Sequence, residues 1–114
     1  NYFFLNILLI QMKNRDSLEL IEYSKKNNFN FIPGAITPSE IITLMEYGFT
    51  LIKIFPISYF GGIKYMRTLD SLFSRKNVKF IPTGGVNSEN IKDYLKLDSV
   101  IACSSSSFID EFIE

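Results

Sequence analysis

The stretch FTLIKIFPI, residues 49 to 57, is apolar from end to end apart from one lysine, Lys53, at its centre. A run of this kind fits a strand buried on both faces, and such strands belong to parallel sheets covered by helices. In an extended strand Leu51, Lys53 and Phe55 share one face while Ile52 and Ile54 point to the other. An ammonium group in that setting has two readings. It guards a sheet edge against aggregation, or it is drawn into an apolar pocket where burial disfavours its charge. The pattern of the strand alone leaves both open.

Outward from this strand the same alternation recurs. Upstream, TPSEIITLMEYG carries the signals of a whole helix: Thr37 as N-cap, Pro38 at the first position, Glu40 three residues after the cap and Gly48 as terminator. Ile41, Leu44 and Met45 fall on one face of it. FNFIPG before it reads as a short strand, and NRDSLELIEYSKKN as an earlier helix with Asp16 and Glu19 at capping-box spacing. The opening NYFFLNILLI reads as a buried strand. It lacks the basic leader and cleavage site of a signal peptide, and its apolar run is too short to span a bilayer. Beginning on apolar residues without a methionine, the chain reads as one cut in mid-fold.

Downstream, GGIKYMRTLDSLFS places Ile63, Met66, Leu69, Leu72 and Phe73 on one helical stripe. VKFIPTGG is a strand ending in glycines. NSENIKDYLKL is a helix with Asn87 as its cap and Ile91, Tyr94 and Leu95 turned inward, SVIACSSSS a last strand, and FIDEFIE the start of a final helix. Strands and helices thus alternate at roughly 20 to 28 residues, the period of βα units. No tight hairpin signal joins two strands. The fold class is α/β with a parallel sheet, and periodicity does not say whether that sheet is open or closed into a barrel.

Composition narrows the chemistry. The 114 residues make at most one domain, 46% hydrophobic and 21% charged, with 12 basic and 12 acidic side chains. Balanced charge gives no field for nucleic acid or an anionic membrane, and neither partner is expected. The single cysteine, Cys103, forms no internal disulfide and fits a reducing, cytoplasmic setting. With no histidine in the chain, serine–histidine and cysteine–histidine nucleophiles are excluded and a metal site is not expected. Lysine, carboxylates, hydroxyls and backbone amides remain.

The unusual residues gather where strands end: Pro33-Gly34, Lys53 to Pro56, Pro82 to Gly85 and Ser104 to Ser107. Ligand sites of barrels and open parallel sheets lie at those carboxyl ends. A free lysine, with a pKa near ~10.4, is neutral only ~0.04% of the time at pH 7. Burial that lowers the pKa raises that fraction, and a neutral amine forms a Schiff base with a ketone or aldehyde. Thr83, Gly84 and Gly85 stand between a strand and a helix, where glycine amides approach an anion closely. A glycine turn needed only for chain geometry, and a solvated serine loop, are the plain alternatives. Gly61 and Gly62 are read as turn residues without chemistry.

FIPGAITPSEI, GFTLIKIFPI, GGIKYMRTL, FIPTGGVNSENIKDYL and VIACSSSSF, in that order, resemble the 2-keto-3-deoxy-6-phosphogluconate / 4-hydroxy-2-oxoglutarate aldolase family. The resemblance runs from about Asn30 to Phe108 and is carried chiefly by Lys-x-Phe-Pro and Pro-Thr-Gly-Gly. It implies a (β/α)8 TIM-barrel type of fold, of which residues 1–114 would be a single, incomplete domain holding about the last five strands. It implies a class I lyase that needs no cofactor, cleaving a 2-keto-4-hydroxy acid reversibly to pyruvate and an aldehyde through a Schiff base on Lys53. Phe55 would pack beside the pyruvyl unit and Thr83 would contact it. Gly84, Gly85, Ser105 and Ser106 would hold a phosphate, on substrates that carry one. A homotrimer is implied as well.

Three departures accompany the resemblance. The family's acid/base glutamate and carboxylate-binding arginine lie on an earlier strand, and Glu19, Glu22 and Glu40 are explained by helix capping. Ser104 and Ser105 stand where the family has glycines, and the family's terminal helices are missing. A lone five-strand piece would leave sheet edges open, so the chain is expected to be marginally stable or to associate, with feeble turnover. The alternative reading is a non-catalytic barrel remnant that binds a phosphorylated ligand or a partner subunit. A phosphate-binding isomerase ranks last, for want of carboxylates on strand ends.

Overall fold

The computed structural model describes residues 8–11 and 31–104. The helix expected near residues 14–27, with Glu19 and Glu22, and the residues from Ser105 onward, with Ser106 and the final helix, lie outside the described residues. Four strands form one parallel sheet in chain order: β1 (Leu8–Gln11), β2 (Phe31–Ala35), β3 (Leu51–Ile54) and β4 (Lys79–Pro82). Helix α1 (Pro38–Glu46) connects β2 to β3, α2 (Ile63–Phe73) connects β3 to β4, and α3 (Ile91–Leu95) follows β4. Helical crossovers of this kind are what a parallel pairing demands.

The core lies between one face of the sheet and these helices. Ile52, Ile54 and Phe80 from the strands meet Ile41 and Leu44 of α1 and Met66, Leu69 and Phe73 of α2. In β3 burial alternates, Ile52 and Ile54 being sealed while Leu51 and Lys53 are half-buried. Helix α1 begins as its sequence dictates. The Thr37 hydroxyl accepts from the Glu40 amide at 3.2 Å, and Glu40 Oε1 accepts from the Thr37 amide at 2.9 Å.

Two helix readings need correction. Leu72 is half exposed, because at about 100° per residue it falls on the flank of the stripe defined by Met66, Leu69 and Phe73. After β4, Asn87 caps a turn ahead of the helix: its Oδ1 accepts from the amides of Glu89 and Asn90, and α3 itself starts at Ile91. Tyr94 is buried and Ile91 packs against the core, but Leu95 is exposed.

The expected last strand runs parallel beside β4, held by two single pairings, Phe80 with Val100 and Thr83 with Ser104. Phe80 uses both backbone groups, donating to Ser99 O at 2.7 Å and accepting from Ile101 N at 3.1 Å. The next rung would need a donor from position 82, and proline has none. The ladder stops there and resumes one residue out of step, with Ser104 N donating to Pro82 O at 3.1 Å.

The start of that segment is tied to α2 by a carboxylate. Asp70 Oδ1 accepts from Ser99 N at 2.9 Å and from Ser99 Oγ at 2.5 Å, and Ser99 is fully buried. Asp70→Ala would strand both donors away from water, so a loss of about 1–3 kcal/mol is expected. Urea unfolding monitored by circular dichroism checks it, and an unchanged midpoint refutes it.

Candidate active site at the carboxyl ends of the strands

Lys53 sits inside the sheet, not at its border, because β3 is paired with β2 on one side and β4 on the other. The edge-guard reading of this residue is therefore excluded. Across the sheet Lys53 is in register with Gly34 of β2 and Ile81 of β4. One neighbour contributes no side chain and the other a buried apolar one.

The ammonium is half-buried and no carboxylate among the described residues pairs with it. Its Nζ lies 5.2 Å from the centroid of the Phe55 ring, a cation–π distance. Burial outweighs that contact and holds the Lys53 pKa below its ordinary 10.5. The cause is desolvation, the first of the two routes by which lysine is made nucleophilic.

The ends of β3 and β4 are stitched together beyond the lysine. Thr83 N donates to Ile54 O at 2.9 Å, Ile57 N to Thr83 O at 2.9 Å and Ser58 N to Gly84 O at 3.2 Å. Thr83 is buried, and its hydroxyl donates to Ile81 O at 3.2 Å. Gly84 and Gly85 have φ of 95° and 78°, the left-handed region that glycine enters without strain. A Cβ on Gly84 would lie 3.3 Å from Cδ1 of Phe55. Phe55 thus reaches from the lysine to the Thr-Gly-Gly corner, and the structure brings Lys53, Phe55, Thr83, Gly84 and Gly85 to one end of the sheet. Ser104 is placed beside Thr83 by its pairing.

The carbonyls of this corner are occupied. Gly84 O accepts from Ser58 N, and Gly85 O from Asn90 Nδ2 at 3.0 Å. Glu40, the carboxylate at the same end of β2, is engaged in capping: its Oε1 accepts from the amides of Ile36 and Thr37 and from the Thr37 hydroxyl. Burial pushes the Cys103 thiol up to about 11, which leaves it a poor nucleophile. No cluster of potential metal ligands occurs among the described residues, and none of their helices is long and apolar enough to cross a membrane.

Two contacts near this end escaped the sequence. Tyr65 Oη donates to Ile36 O at 2.6 Å, clipping the start of α2 to the end of β2. Ser58 lies against Gly85, so close that a Cβ there would be 2.5 Å from its Oγ. The second had a faint signal, a glycine pair whose second member needed a reason to lack a side chain.

A parallel βα sheet with its polar and reactive groups collected at the carboxyl ends of the strands is the layout of α/β enzymes that bind small molecules there. Within that class the chain belongs to the KDPG and KHG aldolase family, whose family model matches residues 16–114. It is 30% identical over 93 residues to the 2-dehydro-3-deoxy-phosphogluconate aldolase of Haemophilus influenzae, a match covering 82% of this chain and 43% of that protein. With the KHG/KDPG aldolase of Escherichia coli K12 it shares 37% identity over 87 residues, covering 76% of this chain and 40% of the other. The chain therefore spans less than half the length of these relatives. Among solved structures, the KDPG aldolase of Legionella pneumophila, with pyruvate captured at low pH as a covalent carbinolamine, superposes with a TM-score of 0.76. The identity is 31%, over 90% of this chain and 48% of that one.

Proposed function

We propose that this chain carries the Schiff-base lysine and the anion-binding corner of a class I aldolase that cleaves 2-keto-4-hydroxy acids reversibly to pyruvate and an aldehyde. The single observation that carries the reading is the desolvated ammonium of Lys53 on an interior strand, in register with Gly34. The carbinolamine captured with pyruvate in the Legionella relative is the kind of adduct this lysine would make.

In the proposed cycle the neutral Lys53 amine adds to the C2 carbonyl, and loss of water gives a protonated imine. That cation draws in the electron pair of the C3–C4 bond as the C4 hydroxyl gives up its proton, and the aldehyde departs. The remaining enamine takes a proton at C3, and water returns the lysine and releases pyruvate. Phe55 would pack on the pyruvyl unit and Thr83 would contact it. Gly84 and Gly85, with Ser105 and Ser106, would receive the phosphate of a phosphorylated substrate. The wider reading is an eightfold βα barrel, of which residues 1–114 form a single partial domain, assembled as a homotrimer. The reading gives Glu40 no part in proton transfer, because its Oε1 accepts the capping bonds of Ile36 and Thr37.

Reduction with borohydride in the presence of pyruvate tests the reading without requiring turnover. A stable mass increase should map to the peptide containing Lys53. Absence of any adduct across the neutral and alkaline range would instead favour a non-catalytic chain that only binds a phosphorylated ligand.

A further inference from the structure

We propose that Tyr65 is a positioning residue of this site: its hydroxyl, bonded to Ile36 O, locks the bend that follows β2 and so keeps water from the strand ends around Lys53. The inference rests on the aldolase reading for its use in catalysis. It adds to that reading a side chain outside the Lys-x-Phe-Pro and Pro-Thr-Gly-Gly motifs.

Two consecutive peptide units make the bend. The first joins Ala35 to Ile36: its oxygen accepts from Phe55 N at 3.2 Å, and its amide donates to Glu40 Oε1 at 3.0 Å. The second joins Ile36 to Thr37: its amide donates to the same carboxylate oxygen at 2.9 Å, and its carbonyl accepts from Tyr65 Oη at 2.6 Å. Each unit is thus held on both sides, and of these bonds the one from Tyr65 reaches in from α2. The turn before α2 packs on the base of that side chain, since a Cβ on Gly61 would lie 3.2 Å from Tyr65 Cβ. Lys53 stands beside the bend: Gly34, one residue before Ala35, is its partner in register, and the Phe55 ring is 5.2 Å from its Nζ. Without the phenol hydroxyl the second unit is free to turn. The first shares Ile36 with it, so the bond that seats Phe55 loosens and water reaches the ammonium more readily. Desolvation is what keeps Lys53 below its ordinary 10.5. The other titratable groups on the surrounding elements do not explain such a change. β1 and β2 carry none, and Lys79 of β4 is bonded to Asp98 O at the amino end of that strand. Glu40 is engaged in the bend, and Lys64 at the start of α2 is exposed. Burial and the nearby Glu40 carboxylate hold Tyr65 itself above the usual 10.0, so its hydroxyl keeps its proton into the alkaline range.

The test titrates Lys53 itself, in the full chain carrying lysine labelled with 13C at Cε, its signal assigned by absence from Lys53→Met. Tyr65→Phe keeps the ring packed and removes only the hydroxyl. In this variant the Lys53 midpoint should rise toward 10.5 by about half a pH unit. The rate of pyruvate trapping by borohydride at pH 7 should fall about threefold, as the neutral fraction does. Asp70→Ala, which weakens α2 away from the bend, is the control and should leave the midpoint where it is. An unchanged midpoint in Tyr65→Phe, or an equal rise in Asp70→Ala, overturns the proposal and reduces Tyr65 to a support of the fold. The titration needs no substrate, so the two readings part cleanly. A raised midpoint in Tyr65→Phe with no trapping in the unaltered chain upholds the role of Tyr65 and removes the aldolase reading, whereas an unchanged midpoint with trapping intact removes Tyr65 alone.

Discussion

Lys53→Met is expected to abolish covalent capture of pyruvate altogether, and to change how stability depends on pH. Methionine matches lysine roughly in length and fills the half-buried space beside Phe55, but it has no amine to attack a carbonyl. The other lysines among the described residues, Lys64, Lys76, Lys79, Lys92 and Lys96, are all exposed. The adduct should therefore disappear, not migrate. A borohydride-stable adduct of undiminished yield in this variant would refute the role of Lys53.

The stability effect has a definite sign. Lys53 is held below 10.5 in the folded chain by desolvation, so the fold binds this proton more weakly than the unfolded chain does. The resulting handicap is fully present below the folded pKa, shrinks as pH rises from there, and vanishes above 10.5. Methionine carries no such handicap. Its advantage over the unaltered chain should accordingly be larger at pH 7 than at pH 10.5. Urea unfolding of both proteins at the two pH values measures the difference, and an advantage that grows with pH contradicts it.

Phe80→Ala is expected to be the most damaging single change to the fold. Phe80 is fully buried in β4, between β3 and the segment around Val100, and meets Phe73 of α2 edge-on with ring centroids 5.8 Å apart. Truncation removes the transfer free energy of the ring and leaves a void against α2, together about 3–5 kcal/mol. Whole domains are stable by only about 5–15 kcal/mol. The variant should therefore lose a large share of its stability, and its urea midpoint should fall well below that of the unaltered chain. Phe80→Leu, which retains most of the volume, should cost less than about 2 kcal/mol. A urea midpoint for Phe80→Ala near that of the unaltered chain would show that this position does not anchor the core.

The α/β alternation was legible because each link has its own local chemistry. Thr37, Pro38, Glu40 and Gly48 write the boundaries of α1 in short-range hydrogen bonds and backbone angles, and the structure follows them. Placement of Lys53 was not legible. Whether a strand lies at an edge or inside a sheet depends on pairing partners remote in the chain, here Gly34 and Ile81. Leu72 and Leu95 were misjudged for a similar reason, since a helical stripe gives a direction but not the width of the surface that covers it. The lysine and the Thr-Gly-Gly corner stood out as residues odd for their surroundings. Ser58 and Tyr65 did not, because their significance arises only from what folding sets beside them.

The proline in β4 has a chemical consequence at the rim of the site. Continued in the register of Phe80 and Val100, the two segments would set Thr83 opposite Cys103. One backbone nitrogen without its hydrogen breaks that sequence of rungs, so Cys103 turns into the packed interior and Ser104 takes the place beside Thr83. A thiol is thereby kept within the core, and a hydroxyl stands in its place at this end of the sheet, through an atom that proline lacks.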